Sequence, residues 1–251
     1  MRWLLVALAV AGCAKAGPGN SIVGGITDAG TEVGDGGVRP DAGDFPEPDA
    51  SLPPGQLVLV QTTSTAVAVD NSFYCREPKT GFARENNYYR VFVPADHGVT
   101  SDLHVIDVTF GIEFAAAGPA GGKQQPGTVV VGTYSGPIGG TTLDLTQMRT
   151  ISSVDIQIPD GEGVRQTVPI TGDISAATNL IVQLTIPDGF DDGNVFIIGS
   201  NGDGERRPGY TKAMSCNFNV PTSMFSISSP RPDLKEADVV LIVTASTAPE
   251  T

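Results

Sequence analysis

Apolar and polar residues alternate in short stretches from Gly55 onward, and Gly, Pro, Asn and Asp separate the stretches. A period of two is typical of β-strands that bury one face. No window of eleven residues shows a clear helical period, and 173–179 has room for one helical turn at most. The predicted strands cover residues 56–61, 88–93, 103–114, 128–134, 153–158, 164–170, 180–186, 195–199, 224–228 and 239–245, with 66–69 as a weaker candidate.

The stretch 103–114 contains a change of phase. Val108, Phe110 and Ile112 alternate with polar or small residues, whereas Leu103 and Val105 fall on the opposite phase. An extra residue in one strand produces such a slip, so the pattern predicts a β-bulge or a bend inside this strand.

Turn residues support the predicted strand ends. Ile158-Pro159-Asp160-Gly161 and Ile186-Pro187-Asp188-Gly189 repeat one pattern, in which Pro ends the ladder and Asp-Gly makes the turn. About ten short strands with frequent turns predict an all-β fold, a single antiparallel β-sandwich over residues 55–251.

Residues 14–54 have a different composition. These 41 residues contain 9 Gly, 6 Pro, 7 acidic and 2 basic residues, and their few large apolar residues follow no period. Low hydrophobicity and like charge oppose folding, so residues 13–54 are predicted to be a disordered tether. A flexible coil of this length reaches about 35 Å.

The N-terminus resembles an export signal. Arg2 precedes an apolar stretch from Trp3 to Ala11 that is too short to span a hydrocarbon layer, which needs about 20 residues. Val10-Ala11-Gly12-Cys13 resembles the lipobox of bacterial lipoproteins. The resemblance implies cleavage after residue 12, acylation of Cys13 and anchoring in the cell envelope. An ordinary signal peptide with an incidental cysteine is the alternative.

Sorting and cysteine pairing follow from export. The absence of Asp directly after Cys13 favours the outer membrane, by analogy with Gram-negative sorting. Cys75 and Cys216 remain as a pair, and an even pair in an oxidising compartment predicts a disulfide. Two separate free thiols are the alternative.

The formal net charge of −13 disfavours nucleic-acid partners, because an acidic surface repels phosphate backbones. Carboxylates and an amide cluster at Asp188, Asp191, Asp192 and Asn194, and such oxygen ligands suit calcium. Glu113 is a candidate additional ligand. An ordinary acidic turn is the alternative, and no other cofactor is predicted.

Catalytic motifs do not appear in the sequence. No nucleophile elbow, zinc-protease motif or phosphate-binding loop is found. Asp96 and His97 form the strongest acid–base pair, which would serve a weak hydrolase or a hydrolase accessory protein. Among the aromatic residues, alternation groups Tyr88 with Phe92 and Tyr89 with Val91, and at least one of these sets is predicted to lie in the core.

Three stretches resemble a jelly-roll β-sandwich of secreted bacterial proteins, the group that includes proprotein-convertase P domains and galactose-binding-like domains. They are Asn87-Tyr88-Tyr89-Arg90-Val91-Phe92, Val108-Thr109-Phe110-Gly111-Ile112-Glu113 and Phe196-Ile197-Ile198-Gly199-Ser200-Asn201. The positions of Cys75 and Cys216 also fit. The resemblance implies a jelly-roll fold.

The function predicted from these observations is a lipid-anchored, non-catalytic binding or adhesion module. Its partners would be the membrane, through the lipid on Cys13, and a glycan or envelope protein. A purely structural envelope protein is the alternative.

Overall fold

The computed structural model describes residues 52–228 and 237–247. The predicted signal, Cys13 and nearly all of the tether lie outside the described residues. The described elements are β1 (Gln56–Val60), β2 (Asn86–Phe92), β3 (Leu103–Ala116), β4 (Gln124–Tyr134), β5 (Met148–Pro159), β6 (Gly161–Ile174), β7 (Asn179–Ile186), β8 (Val195–Ile198), β9 (Ser200–Asn201), β10 (Gly209–Ala213), β11 (Phe218–Ser223), α1 (Met224–Ser228), β12 (Asp238–Val239) and β13 (Leu241–Thr247).

The strands form two large antiparallel sheets. One has the order β1-β13-β3-β6, with β8 also paired to β3, and we call it the five-stranded sheet. The six-stranded sheet has the order β11-β10-β2-β7-β4-β5, and β12 and β9 form a small third sheet. The predicted all-β antiparallel sandwich is therefore confirmed.

Apolar side chains from both large sheets meet in one core. Phe110 on β3, Val129 on β4 and Leu184 on β7 are all fully buried within it. Tyr88 and Phe92 also lie in this core, whereas Tyr89 and Val91 pack in a second cluster with Tyr134, Ile181 and Tyr210. Both aromatic sets of β2 are therefore buried, on opposite faces of the strand.

The phase change predicted in β3 is a bulge at Ile106. Val105 and Asp107 pair with the adjacent residues Ala245 and Thr244 of β13, so Ile106 is the extra residue in that ladder. The ladder with β6 shifts at the same point, with the extra residue on β6 between Pro169 and Gly172. The predicted turn at Asp160 is also confirmed, because β5 ends at Pro159 and β6 begins at Gly161.

One predicted strand is wrong. Residues Met224–Ser228 form the short helix α1, in which Met224 is buried in the core and Ile227 packs against it, while Phe225 is 50% exposed. Apolar positions three residues apart bury one face of a helix, but five residues are too few to show that period in the sequence. The weaker candidate at 66–69 contributes a single bridge, from Ala68 to Ser200.

The strand registers define two opposite ends of the sandwich. Gln56 pairs with Ser246 near one end, where Leu103 pairs with Thr247. We call this end the Gly55 end; its loops are 52–55, 93–102, 135–147 and 175–178. The opposite end, called the Asp188 end, has the loops 76–85, 117–123 and 187–194. At that end the 117–123 connection and the turn at Asp160 join the two sheets.

The predicted disulfide between Cys75 and Cys216 is present in the structure and joins residues 141 positions apart in the sequence. Both cysteines are buried, and Ala213 and Phe218 pack around them. The bridge fixes the segment before β2 to the turn between β10 and β11.

A second long-range connection is ionic. Arg90 on β2 is completely buried, and its guanidinium donates to Glu205 Oε2 at 2.9 Å and to the carbonyl oxygen of Val239 at 2.7 Å. Burial raises the pKa of Glu205, and the positive charge of Arg90 offsets part of that rise. The pair holds the segment before β10 and the segment before β13 against the six-stranded sheet.

None of the described helices is long and apolar enough to cross a membrane.

Candidate ligand-binding face

The outer face of the six-stranded sheet carries a line of polar side chains. Residues paired directly across antiparallel strands project from the same face. The registers align one residue from each of β10, β2, β7, β4 and β5, and we call these five residues the polar row: Lys212, Asn87, Thr185, Thr128 and Asp155. Because neighbouring strands lie about 4.8 Å apart, the row is about 19 Å long.

Asn87 organises one half of the polar row. Its Oδ1 accepts hydrogen bonds from Thr185 Oγ1 at 2.9 Å and from Gln183 Nε2 at 3.2 Å. Its Nδ2 donates to Glu85 Oε1 at 2.7 Å, and Gln183 Nε2 also donates to Thr185 Oγ1 at 2.8 Å. Asn87 is only 6% exposed, so it acts as a buried hub that orients the three side chains around it.

The other half of the row is shorter and more open. Thr128 Oγ1 donates to Asp155 Oδ1 at 2.9 Å. Asp155 is exposed, and Thr128, Thr185 and Lys212 are partly exposed. The row therefore presents hydroxyl, amide and charged groups to solvent, several of them already held in place by hydrogen bonds.

The apolar part of the same face is covered by the loop 135–147, which we call the cover loop. The cover loop packs Leu143 and Leu145 against the cluster around Tyr89. The Tyr210 hydroxyl donates to the Gly140 carbonyl oxygen at 3.1 Å and fastens the loop to β10. Burial and the negative charge of Glu85 raise the pKa of Tyr89 to about 12, so this hydroxyl stays protonated at neutral pH.

The predicted calcium ligands do not converge. Asp188 pairs with Arg84 at 3.1 Å and also accepts the Phe190 backbone N–H at 3.0 Å, and Asn194 Oδ1 accepts the Gly118 N–H at 2.9 Å. Within residues 52–228 and 237–247, no three carboxylate, histidine or cysteine side chains come together as a group that could hold a metal ion. The calcium site therefore stays a prediction, and in the structure two of its four candidate ligands, Asp188 and Asn194, hold the loops of the Asp188 end together.

An aromatic and charged cluster completes that end. The Arg84 guanidinium lies 4.5 Å from the centre of the Phe190 ring, and the Phe82 and Phe190 rings meet edge to face at 6.4 Å. Arg84 also lies 3.7 Å from a carboxylate oxygen of Glu77. These contacts fix loops 76–85 and 187–194 to each other.

Asp96 and His97 are not arranged as an acid–base pair. Arg207 donates to the Asp96 carboxylate from Nε at 2.5 Å and from Nη2 at 3.1 Å, which lowers the pKa of Asp96. Burial, and then the charge of Arg206, lower the pKa of His97. His97 Nε2 is buried with no hydrogen-bond partner in the part of the chain that the structure describes. The Asp96 carboxylate therefore binds arginine and does not orient the imidazole.

Sequence reasoning did not identify the hub as a site. The alternation of Gln183-Leu184-Thr185 within a predicted strand was a usable signal, since it placed two polar residues on one face. Their contact with Asn87 depends on the pairing of β2 with β7, which links residues 96 and 98 positions apart.

Comparison with known proteins gives little further information. No family model matches the chain, and no curated protein matches it. Among solved structures, the chain is similar to the cysteine protease and lectin-like domains of Cwp84, a surface layer associated protein of Clostridium difficile. The TM-score is 0.36 at 11% identity, over 66% of this chain and 33% of that one. This chain thus spans about a third of the length of that protein chain, and the resemblance to P domains and galactose-binding-like domains stays a prediction.

Proposed function

We propose that this protein is a lipid-anchored bacterial envelope protein whose sandwich is a non-catalytic binding module held away from the membrane. The observation that carries the proposal is the direction of the first strand. β1 starts at Gln56, beside Ser246, so the tether joins the sandwich at the Gly55 end.

Anchoring at Cys13 would leave the Asp188 end as the outer end of the molecule. The predicted tether adds about 35 Å between the lipid and the sandwich, and its proline residues and like charges extend that distance. The polar row runs across the strands of one broad face, and it therefore stays accessible in this arrangement.

Binding is favoured over catalysis by the chemistry of the accessible groups. The Asn87 hub orients neutral hydrogen-bonding groups on an open face, as a binding surface needs. The strongest acid–base candidate, Asp96, is instead engaged by Arg207.

The test is fractionation of the full-length protein expressed in a Gram-negative bacterium. We expect the wild-type protein in the outer-membrane fraction with a mass that includes the lipid on Cys13, and we expect Cys13→Ser as a soluble or uncleaved form. Ala14→Ser is the matched control and should fractionate like the wild type. Cys13→Ser protein that keeps the wild-type mass shift and membrane association would refute lipid anchoring.

A further inference from the structure

We infer that the polar row and the Asn87 hub bind a neutral polysaccharide laid across the strands of the six-stranded sheet. The inference rests on the proposed function, because it names the ligand of the binding module.

The hub differs from an ordinary solvated strand surface. Side chain to side chain hydrogen bonds are about 10–15% of the total in folded proteins. Here four such bonds join only four residues: Glu85, Asn87, Gln183 and Thr185. The outer face of the five-stranded sheet offers a simpler comparison in the Thr109–Thr167 pair, two hydroxyls at 2.7 Å.

The bonds within the hub reduce the entropic cost of binding. A ligand that must order free side chains loses part of its binding free energy for each one. Thr185 and Gln183 are already fixed by Asn87, so much of that ordering is complete before the ligand arrives. Both residues remain partly exposed and can reach a ligand.

The groups on the row match sugar hydroxyls. The Thr185 and Thr128 hydroxyls already donate within the row, to Asn87 Oδ1 and to Asp155 Oδ1. Each hydroxyl oxygen keeps a lone pair that can accept a hydrogen bond from a sugar hydroxyl. The centre of the row, Thr185 and Thr128, is uncharged, while Lys212 and Asp155 stand at its two ends.

The charge of the protein and the shape of the polar row indicate which class of ligand the face can bind. Anionic polymers are repelled by Glu85 and Asp155 on this face and by the formal net charge of −13. Neutral polymers are not repelled. The row is an open line of about 19 Å, long enough for several linked sugars. A cavity beside the disulfide, by contrast, has a volume of about 10 Å³, room for no more than one water molecule.

Affinity gel electrophoresis of the detergent-solubilised full-length protein tests the inference. The gels contain laminarin, xylan, galactomannan or dextran as neutral probes, and alginate or polygalacturonate as acidic probes. We expect at least one neutral probe to retard the wild type. Thr185→Val and Gln183→Ala should each weaken that retardation about tenfold, since one or two hydrogen bonds are lost.

Thr167→Val is the matched control, because it removes a hydroxyl bonded to another threonine on the other sheet. It should bind like the wild type, and the melting temperatures of all variants show whether each is folded. The inference would be overturned if no neutral probe retards the wild type, if only acidic probes retard it, or if both row variants are retarded as strongly as the wild type. Fractionation of Cys13→Ser is independent of these gels. A protein that is anchored in the membrane but is retarded by no neutral probe would therefore refute polysaccharide binding without refuting lipid anchoring.

Discussion

Glu113 is a carboxyl group buried at an irregular point of β3. It is 4% exposed, and it falls where the register between β3 and β8 shifts, between Ile112 and Phe114. Its Oε1 accepts the backbone N–H of Asp70 at 2.8 Å, so it holds the segment before β2 against the sheet. Burial raises the pKa of Glu113 above its usual value of 4.5, although hydrogen bonds from Ser72 and from the backbone oppose the rise.

A Glu113→Gln variant should show how this burial affects stability. A carboxyl group with a raised pKa binds its proton more tightly in the folded state, so its contribution to stability falls as pH rises from 4.5 through the folded pKa. Glutamine does not titrate, and the free energy of unfolding should therefore fall less between pH 4.5 and pH 8 in the variant than in the wild type. Urea unfolding across this range measures the difference.

The control for that experiment is Glu162→Gln, which alters an exposed glutamate at the start of β6. It should keep the wild-type dependence on pH. A Glu113→Gln protein whose unfolding free energy follows the wild-type pH curve would show that the buried carboxyl is not responsible.

At the scale of elements, the sequence predicted those strands and turns whose position follows from a local pattern of residues. Alternation and Pro-Asp-Gly turns predicted most of the strands, and the phase change predicted a bulge or bend inside β3, which the structure has as a bulge at Ile106. β10 and β11 were missed, because Lys212, Asn219 and Pro221 interrupt the apolar pattern of these short strands. Their place in the sheet depends on pairing with β2, which no local pattern specifies.

The polar row, too, depends on strand pairing that no local pattern in the sequence specifies. Each of its residues occupies a polar position of its own strand, and the outward direction of Thr185 could be predicted from alternation. The line across five strands exists only through four registers, and each joins segments distant in sequence. By contrast, the cluster at Asp188 to Asn194 was conspicuous in the sequence because its acidic residues are neighbours, and in the structure two of its side chains, Asp188 and Asn194, contact other loops.

Loop packing at the Asp188 end depends on a close approach at Gly118. A Cβ atom added to Gly118 would lie 1.7 Å from the carbonyl oxygen of Asp192, a backbone atom that cannot rotate away. We expect Gly118→Ala to separate loops 117–123 and 187–194 and to lower the free energy of unfolding by about 3 kcal/mol, the upper end of typical overpacking costs. Thermal and urea unfolding measure the loss.

Gly140→Ala in the cover loop is the matched control. A Cβ atom there would meet its nearest neighbour, the Thr142 carbonyl oxygen, at an ordinary 3.7 Å. Its stability should stay close to that of the wild type. Equal stability of the two alanine variants would mean that loop 187–194 moves aside without cost.

At the scale of the whole molecule, the disulfide connects two regions that lie far apart in the sequence. Cys75 lies within the long segment between β1 and β2, and Cys216 lies at the edge of the six-stranded sheet beside Ala213. The bridge closes a loop over a sequence separation of 141 residues. Its main effect in the chain-entropy description is on the unfolded chain, which loses conformational freedom when two distant points are joined.

Replacing both bridging cysteines, in a Cys75→Ser/Cys216→Ser variant, should therefore destabilise the sandwich strongly. A closed loop of this length corresponds to about 5 kcal/mol, which is comparable to the whole stability of many domains. The variant is made in a Cys13→Ser parent protein and is compared with that parent. Both proteins then carry a cysteine-to-serine replacement outside the described residues, and they differ only at the bridge. We expect the urea midpoint of the variant to fall far below that of the parent, and a variant with the parent's midpoint would contradict a stabilising role for the bridge.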